Sequence, residues 1–110
     1  MKKGTEKKMY RQGDILFVEV EALPQPQGGQ PVPSGVVAEG EVTGHAHRVM
    51  GGEVTRFGEG ASANLYVNAR AGLRVTVVHE EHGPIELPTG VFKVVRQREY
   101  TPERIRTVGD

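Results

Sequence analysis

Apolar and polar residues alternate along several short runs of this chain, which is the pattern of β-strands that bury one face. In residues 73–79 the apolar positions of one face are Leu73, Val75 and Val77. In residues 14–21 they are Leu16, Val18 and Val20. Apolar runs predict further strands in residues 36–50, 53–57, 65–67 and 91–100. The first of these runs holds one or two strands, because glycine interrupts it near Gly40 or Gly44.

Glycine and proline mark the connections between these runs. Residues 22–33 form a loop rich in Pro, Gln and Gly, and residues 83–90 form a turn-rich connection. Gly51-Gly52 predicts a tight hairpin between the apolar runs on either side of it. The fold class is therefore all-β, a small antiparallel β-barrel or sandwich of about seven or eight short strands.

The length of 110 residues indicates one folded domain. We expect a basic N-terminal segment over residues 1–12 and a single β-barrel domain over residues 13–108, with a short helical turn that begins at Thr101-Pro102. Cysteine is absent, which is typical of proteins in the reducing cytoplasm. No run approaches the roughly 20 apolar residues of a membrane span, so we expect no membrane partner.

The formal net charge of zero hides an asymmetry along the chain. Residues 1–12 carry five basic side chains against one acid, and residues 93–106 carry five against two. Basic ends favour an anionic partner or self-association into a homo-oligomer. The candidate contacts to nucleic acid are Lys7, Lys8, Arg96, Arg98, Arg104 and Arg106. Scarce aromatic residues make nucleic acid the weaker of these two predictions.

All four histidines of the chain fall in two pairs, His45 with His47 and His79 with His82. On one strand, His45 and His47 share a face about 7 Å apart, a spacing that lets both bind one ion. His79 extends an apolar strand face, and His82 lies in the following turn. If the two strands are neighbours, these four residues are the predicted metal ligands. Imidazole ligands favour Zn²⁺, Fe²⁺, Mn²⁺ or Ni²⁺.

Acidic residues close to the histidines widen the range of possible chemistry. Glu41, Glu80 or Glu81 can add an oxygen ligand, and His82, Glu80 and Glu81 are the candidate catalytic residues. Two imidazoles without a metal can instead act as acid and base on a phosphodiester. The cations then available to neutralise the phosphate are Arg48, Arg56 and Lys93. A binding or assembly module without catalysis is the third reading, so enzymatic activity stays open.

Residues 40–60 contain, in this order and with gaps between them, a glycine, a His-X-His pair, a glutamate and a glycine: Gly40, His45, His47, Glu53 and Gly60. The loop of residues 83–90 then carries glycine and Pro-X-Gly. These two motifs resemble those of the cupin family, small β-barrels with a metal in the barrel mouth. The resemblance implies a metal at His45 and His47. Because Lys93 stands where the family has its last histidine, His79 or His82 would replace that ligand. Glu53 lies one residue beyond the family's spacing, and a hairpin at Gly51-Gly52 would turn it away from the histidines.

Overall fold

The computed structural model describes residues 8–24, 29–39, 44–58, 60 and 63–97. This part of the chain contains ten strands. In chain order they are β1 (Met9–Gln12), β2 (Ile15–Val20), β3 (Gln30–Pro31), β4 (Val36–Glu39), β5 (Ala46–Met50), β6 (Glu53–Phe57), β7 (Asn64–Ala69), β8 (Val75–Val78), β9 (Ile85–Leu87) and β10 (Gly90–Arg96).

The ten strands form two antiparallel sheets. The larger sheet has the order β1-β2-β10-β7-β6-β3, and the smaller one has the order β4-β5-β8-β9. The all-β prediction is confirmed. Of its two variants the sandwich is correct, because the described strands lie in two separate sheets instead of one closed barrel.

The core lies where the two sheets face each other. Phe17 and Phe92 of the larger sheet and Val77 of the smaller one are fully buried. Strand β8 buries alternate residues, as its sequence predicts. Strand β2 differs from the prediction, because its core-facing residues are Ile15 and Phe17. Of the residues predicted to face the core, Leu16 is buried outside the central cluster, and Val18 and Val20 are only half-buried. Both faces of β2 begin with apolar residues, and the bulkier pair fills the core.

The predicted hairpin at Gly51-Gly52 is wrong. Strand β5 pairs with β4 and β8, whereas β6 pairs with β7 and β3, so the two glycines connect one sheet to the other. Gly51 has a φ of 86° and lies against the carbonyl oxygen of Arg74, where a β-carbon would collide. The backbone therefore passes directly against Arg74 where it leaves the smaller sheet.

Three short strands lie where none was predicted. β1 lies in the basic segment, β3 in the predicted loop of residues 22–33, and β9 in the turn-rich connection. Leu73 precedes β8 and is exposed, so it does not belong to the buried face assigned to it. Residues 36–50 contain two strands, as one of the alternatives predicts. The helical turn at Thr101 lies outside the described residues. Among the described residues, no helix is long and apolar enough to cross a membrane.

Candidate functional site

The pairing of β5 with β8 brings the two histidine pairs together. These strands run antiparallel, with Arg48 opposite Val78 and Val49 opposite Val77. His47 and His79 are the next residues beyond the pair of Arg48 and Val78, and their rings lie with centroids 4.3 Å apart. The condition on which the predicted site depended, neighbouring strands, is therefore met.

The four imidazole rings form one group, which we call the imidazole cluster (His45, His47, His79 and His82). His79 occupies its middle, with ring centroids 5.6 Å from His45, 4.3 Å from His47 and 4.7 Å from His82. The rings of His47 and His82 are 6.0 Å apart and nearly parallel. The cluster lies at one end of the sandwich, where the turn after β8 meets the turn between β1 and β2.

His47 is the buried member of the cluster, with 3% of its surface exposed. Burial is the main cause that lowers the pKa of His47 from its ordinary value of 6.5 to about 4. The neighbouring His79 is the second cause, and Asp14 acts in the opposite direction. His47 is therefore a neutral imidazole at pH 7.

A buried amide lies directly beside His47. Oε1 of Gln12 is 2.8 Å from Nδ1 of His47. Nε2 of Gln12 donates to the carbonyl oxygens of Val77 and Gly83, each at 2.9 Å. Gln12 is 2% exposed and comes from the larger sheet, whereas its partners lie in the smaller sheet or in the connection between β8 and β9. Sequence reasoning missed this residue, because nothing in the strand pattern distinguishes Gln12 from any polar residue before a Gly-Asp turn.

His79 is held by the backbone of its own turn. Its Nδ1 accepts hydrogen bonds from the N–H of Glu81 at 3.0 Å and from the N–H of His82 at 3.4 Å. An imidazole that accepts at Nδ1 carries its proton on Nε2 when it is neutral. His79 is therefore an Nε2–H donor in this arrangement.

The two acidic residues of the turn have different partners. Oε1 of Glu80 accepts a hydrogen bond from the N–H of Ala46 at 2.9 Å, and this bond lowers the pKa of the Glu80 carboxyl. Glu80 thus connects the turn after β8 to the start of β5. Oε2 of Glu81 lies 3.7 Å from Nδ1 of His45. Both carboxylates are therefore close to the cluster, since His79 and His45 also contribute to the lowered pKa of Glu80.

His82 is exposed and packs against the turn between β1 and β2. A β-carbon at Gly13 would lie 2.7 Å from Nε2 of His82. Gly13 also has a φ of 62°, a conformation that glycine adopts without strain. The glycine therefore gives the His82 ring the space it occupies.

Several predicted site residues lie elsewhere. Glu53 belongs to the larger sheet and forms an ion pair with Arg70 at 3.1 Å. Arg56 and Lys93 are also in the larger sheet, and Arg48 is exposed on the face of β5 opposite His47. Of the predicted nucleic-acid contacts, Lys8 is exposed and Arg96 is half-buried at the end of β10. The remaining predicted residues fall outside the described ones: Glu41, Lys7, Arg98, Arg104 and Arg106.

The cluster is not a preformed coordination site. Within residues 8–24, 29–39, 44–58, 60 and 63–97, no three His, Asp or Glu side chains are arranged so that they can hold a metal ion. The rings pack against each other, and the turn of His79 occupies one of its nitrogens. Metal binding would therefore require the rings to reorient.

A family model described as a domain of unknown function, DUF8820, matches residues 11–97. The match runs from the second half of β1 to the residue after β10 and includes the whole imidazole cluster. No curated protein and no solved structure matches the chain.

Proposed function

The chain belongs to the family DUF8820, and we propose that it binds a divalent transition-metal ion through its imidazole cluster. The observation that supports this proposal is the convergence of all four histidines of the chain at one end of the sandwich. Imidazole nitrogen is a ligand for Zn²⁺, Fe²⁺, Mn²⁺ and Ni²⁺, and these are the ions proposed.

The spacing of the rings fits this proposal. Two imidazoles that bind one ion tetrahedrally, through bonds of about 2.0–2.1 Å, have ring centroids roughly 5 Å apart. Four of the six pairs of rings in the cluster, all of which include His79 or His82, have centroids between 4.3 Å and 6.0 Å apart. Rotation of the rings, with little movement of the strands, would then direct their nitrogens toward a common ion.

His45 and His47 are the proposed chelating pair. His45 directly precedes β5 and His47 is the second residue of that strand, and His47 is already neutral at pH 7, the form that binds metal. The carboxylate of Glu81 beside Nδ1 of His45 matches the carboxylate–histidine pairs that orient metal ligands. His82 and His79 complete the set, and His79 must first release the backbone N–H groups at its Nδ1.

Such an ion would act as a Lewis acid that activates water in a hydrolytic or other metal-dependent reaction, or it would bind a small molecule in a sensor. His45 and His47 are also the residues on which the resemblance to cupins rests. Glu53 and Lys93 take no part in the proposed site, because Glu53 is paired with Arg70 and Lys93 lies on β10 between Val18 of β2 and Tyr66 of β7.

Titration of metal-free protein with Co²⁺ tests the proposal. We expect one ion per chain, with visible absorption bands of tetrahedral nitrogen coordination, and competition by Zn²⁺. His47→Ala should abolish the bands. Arg48→Ala is the matched control, because Arg48 is the next residue of β5 and points away from the cluster. Wild-type protein that binds none of Co²⁺, Zn²⁺, Fe²⁺, Mn²⁺ and Ni²⁺ would overturn the proposal.

The burial of His47 favours a second candidate, metal-free acid–base chemistry. His47 is a neutral imidazole at pH 7 and so can act as the base, and its closest ring neighbour is His79, with ring centroids 4.3 Å apart. To act as the acid on a phosphodiester linkage, His79 would have to be protonated at both ring nitrogens and release the backbone N–H groups at its Nδ1. Activity that survives a chelator would support this candidate over the metal. Cytoplasmic location, self-association and contacts of the basic ends with nucleic acid stay predictions.

A further inference from the structure

Gln12 occupies a position in which a side-chain amide can be oriented in only one way. A primary amide has two N–H donors and one acceptor oxygen. Its neighbours here are the carbonyl oxygens of Val77 and Gly83, which only accept, and Nδ1 of His47. Reversing the amide would place its oxygen against two carbonyl oxygens, so the NH₂ group must face them.

This orientation determines which nitrogen of His47 carries the proton. Because Oε1 of Gln12 only accepts, Nδ1 of His47 must donate across the 2.8 Å contact. A neutral imidazole has one proton, so Nε2 of His47 is left with a lone pair. The described residues make no hydrogen bond to that Nε2.

We propose that Gln12 is a positioning residue of the site, which holds His47 in the Nδ1–H tautomer and so makes Nε2 its ligand or acceptor atom. Histidine ligands of metals commonly donate their second ring nitrogen to an oxygen acceptor, and Gln12 supplies that acceptor. The tautomer of His47 follows from the hydrogen bonds of Gln12 alone, whereas the role of Nε2 as a metal ligand rests on the proposed function.

The proposal also explains why a buried amide lies between two sheets. Each polar atom of the Gln12 side chain has a partner, so its burial leaves no unsatisfied group. His79 is fixed in the opposite tautomer by backbone N–H groups of its own turn. The two nearest rings of the cluster are thus held in complementary forms, with an acceptor at His47 and a donor at His79.

Long-range proton–nitrogen NMR of isotope-labelled histidine, in metal-free protein at neutral pH, tests the tautomers directly. We expect His47 to show a protonated Nδ1 and an unprotonated Nε2, and His79 to show the reverse. Wild-type protein in which His47 carries its proton on Nε2 would overturn the proposal without any variant.

Gln12→Met removes the amide and keeps the length of the side chain. We expect the nitrogen shifts of His47 to move toward the Nε2–H form, and the Co²⁺ affinity to fall by about 10- to 100-fold. Gln97→Met is the matched control, because Gln97 is exposed and its side-chain oxygen accepts a hydrogen bond from the exposed Arg11. This control should change neither the nitrogen shifts of His47 nor the Co²⁺ affinity.

The His47 tautomer and the Co²⁺ affinity together distinguish the failure of one proposal from the failure of the other. If the tautomers are as expected but wild-type protein binds no metal, the positioning role of Gln12 is supported and the metal proposal fails. If Gln12→Met leaves the His47 tautomer unchanged, or shifts it without weakening Co²⁺ binding in a protein that does bind Co²⁺, the positioning role is refuted.

Discussion

His47 combines two properties that rarely occur together in one side chain, since it is titratable and almost fully buried. Its burial is possible because Nδ1 has the oxygen of Gln12 as a partner. Burial also opposes protonation, because a positive charge would lose its hydration and face the neighbouring imidazoles. The proton affinity of this one residue therefore links the stability of the fold to pH.

Stability should fall in acid because of His47. The pKa of His47 is about 4 in the folded protein and 6.5 in the unfolded chain. Between these two pH values the unfolded chain binds a proton that the folded protein does not. The stability that the neutral, buried His47 contributes is therefore complete above the unfolded pKa and is lost as the pH falls toward the folded pKa. We expect the free energy of unfolding to drop by about 2 kcal/mol from pH 7 to pH 5.

Urea unfolding in the presence of a chelator measures this change. His47→Asn is the matched variant, because asparagine keeps an N–H donor near the position of Nδ1 but does not titrate. Its stability should change much less between the same two pH values. An equal fall in variant and wild type would contradict the assignment to His47.

Two turns, at the level of elements, hold the cluster together. Glu80 connects the turn after β8 to β5 through its hydrogen bond with Ala46. The His82 ring packs against Gly13 of the turn between β1 and β2. Gly13 and Gly72 both have a left-handed backbone, with φ of 62° and 86°, but only Gly13 has a side chain packed against it. The two glycines thus form a natural pair for comparison.

Alanine at either glycine should lower the free energy of unfolding by about 1–2 kcal/mol, because a left-handed conformation is strained for any residue with a β-carbon. Only Gly13→Ala should also displace the His82 ring and shift its NMR signals. Gly72→Ala has open space around its new methyl group, so it should leave those signals in place. Unchanged His82 signals in Gly13→Ala would contradict the packing described.

Elements differ in how far the sequence predicts them. β8 is predicted well, because Val75 and Val77 alternate with polar or half-buried neighbours. β9 is not, because its three residues lie between Pro84 and Pro88, which indicate turns. Pairing between β5 and β6 is also wrongly predicted, since the same two glycines suit a hairpin and a crossing between sheets. Only the approach of Gly51 to a distant carbonyl decides between them.

At the scale of the whole molecule, one core supports both sheets. Phe92 is fully buried and contacts Tyr10 edge to face, with centroids 5.7 Å apart. Phe57 makes the same kind of contact with Tyr66 at 5.6 Å but is only half-buried. The histidine pairs could be predicted from the sequence, whereas Gln12 could not, because its role depends on how the two sheets face each other.

Phe92→Ala should lower the free energy of unfolding by about 3–5 kcal/mol, through lost burial and the cavity left behind. Phe57→Ala should cost clearly less, although it removes the same side chain and the same type of aromatic contact. Urea unfolding followed by tyrosine fluorescence and by circular dichroism measures both variants. Equal losses would mean that the core is not centred where the buried residues place it.

The hydrogen bond from Gln12 to Gly83 spans 71 positions of the chain. Contacts of such long range close large loops, and they form only after much of the chain has lost its conformational freedom. The site therefore requires both ends of the domain to be in place, and it cannot persist in a fragment that lacks either of them. A ligand that binds only the assembled site would raise the free energy of unfolding of the whole sandwich.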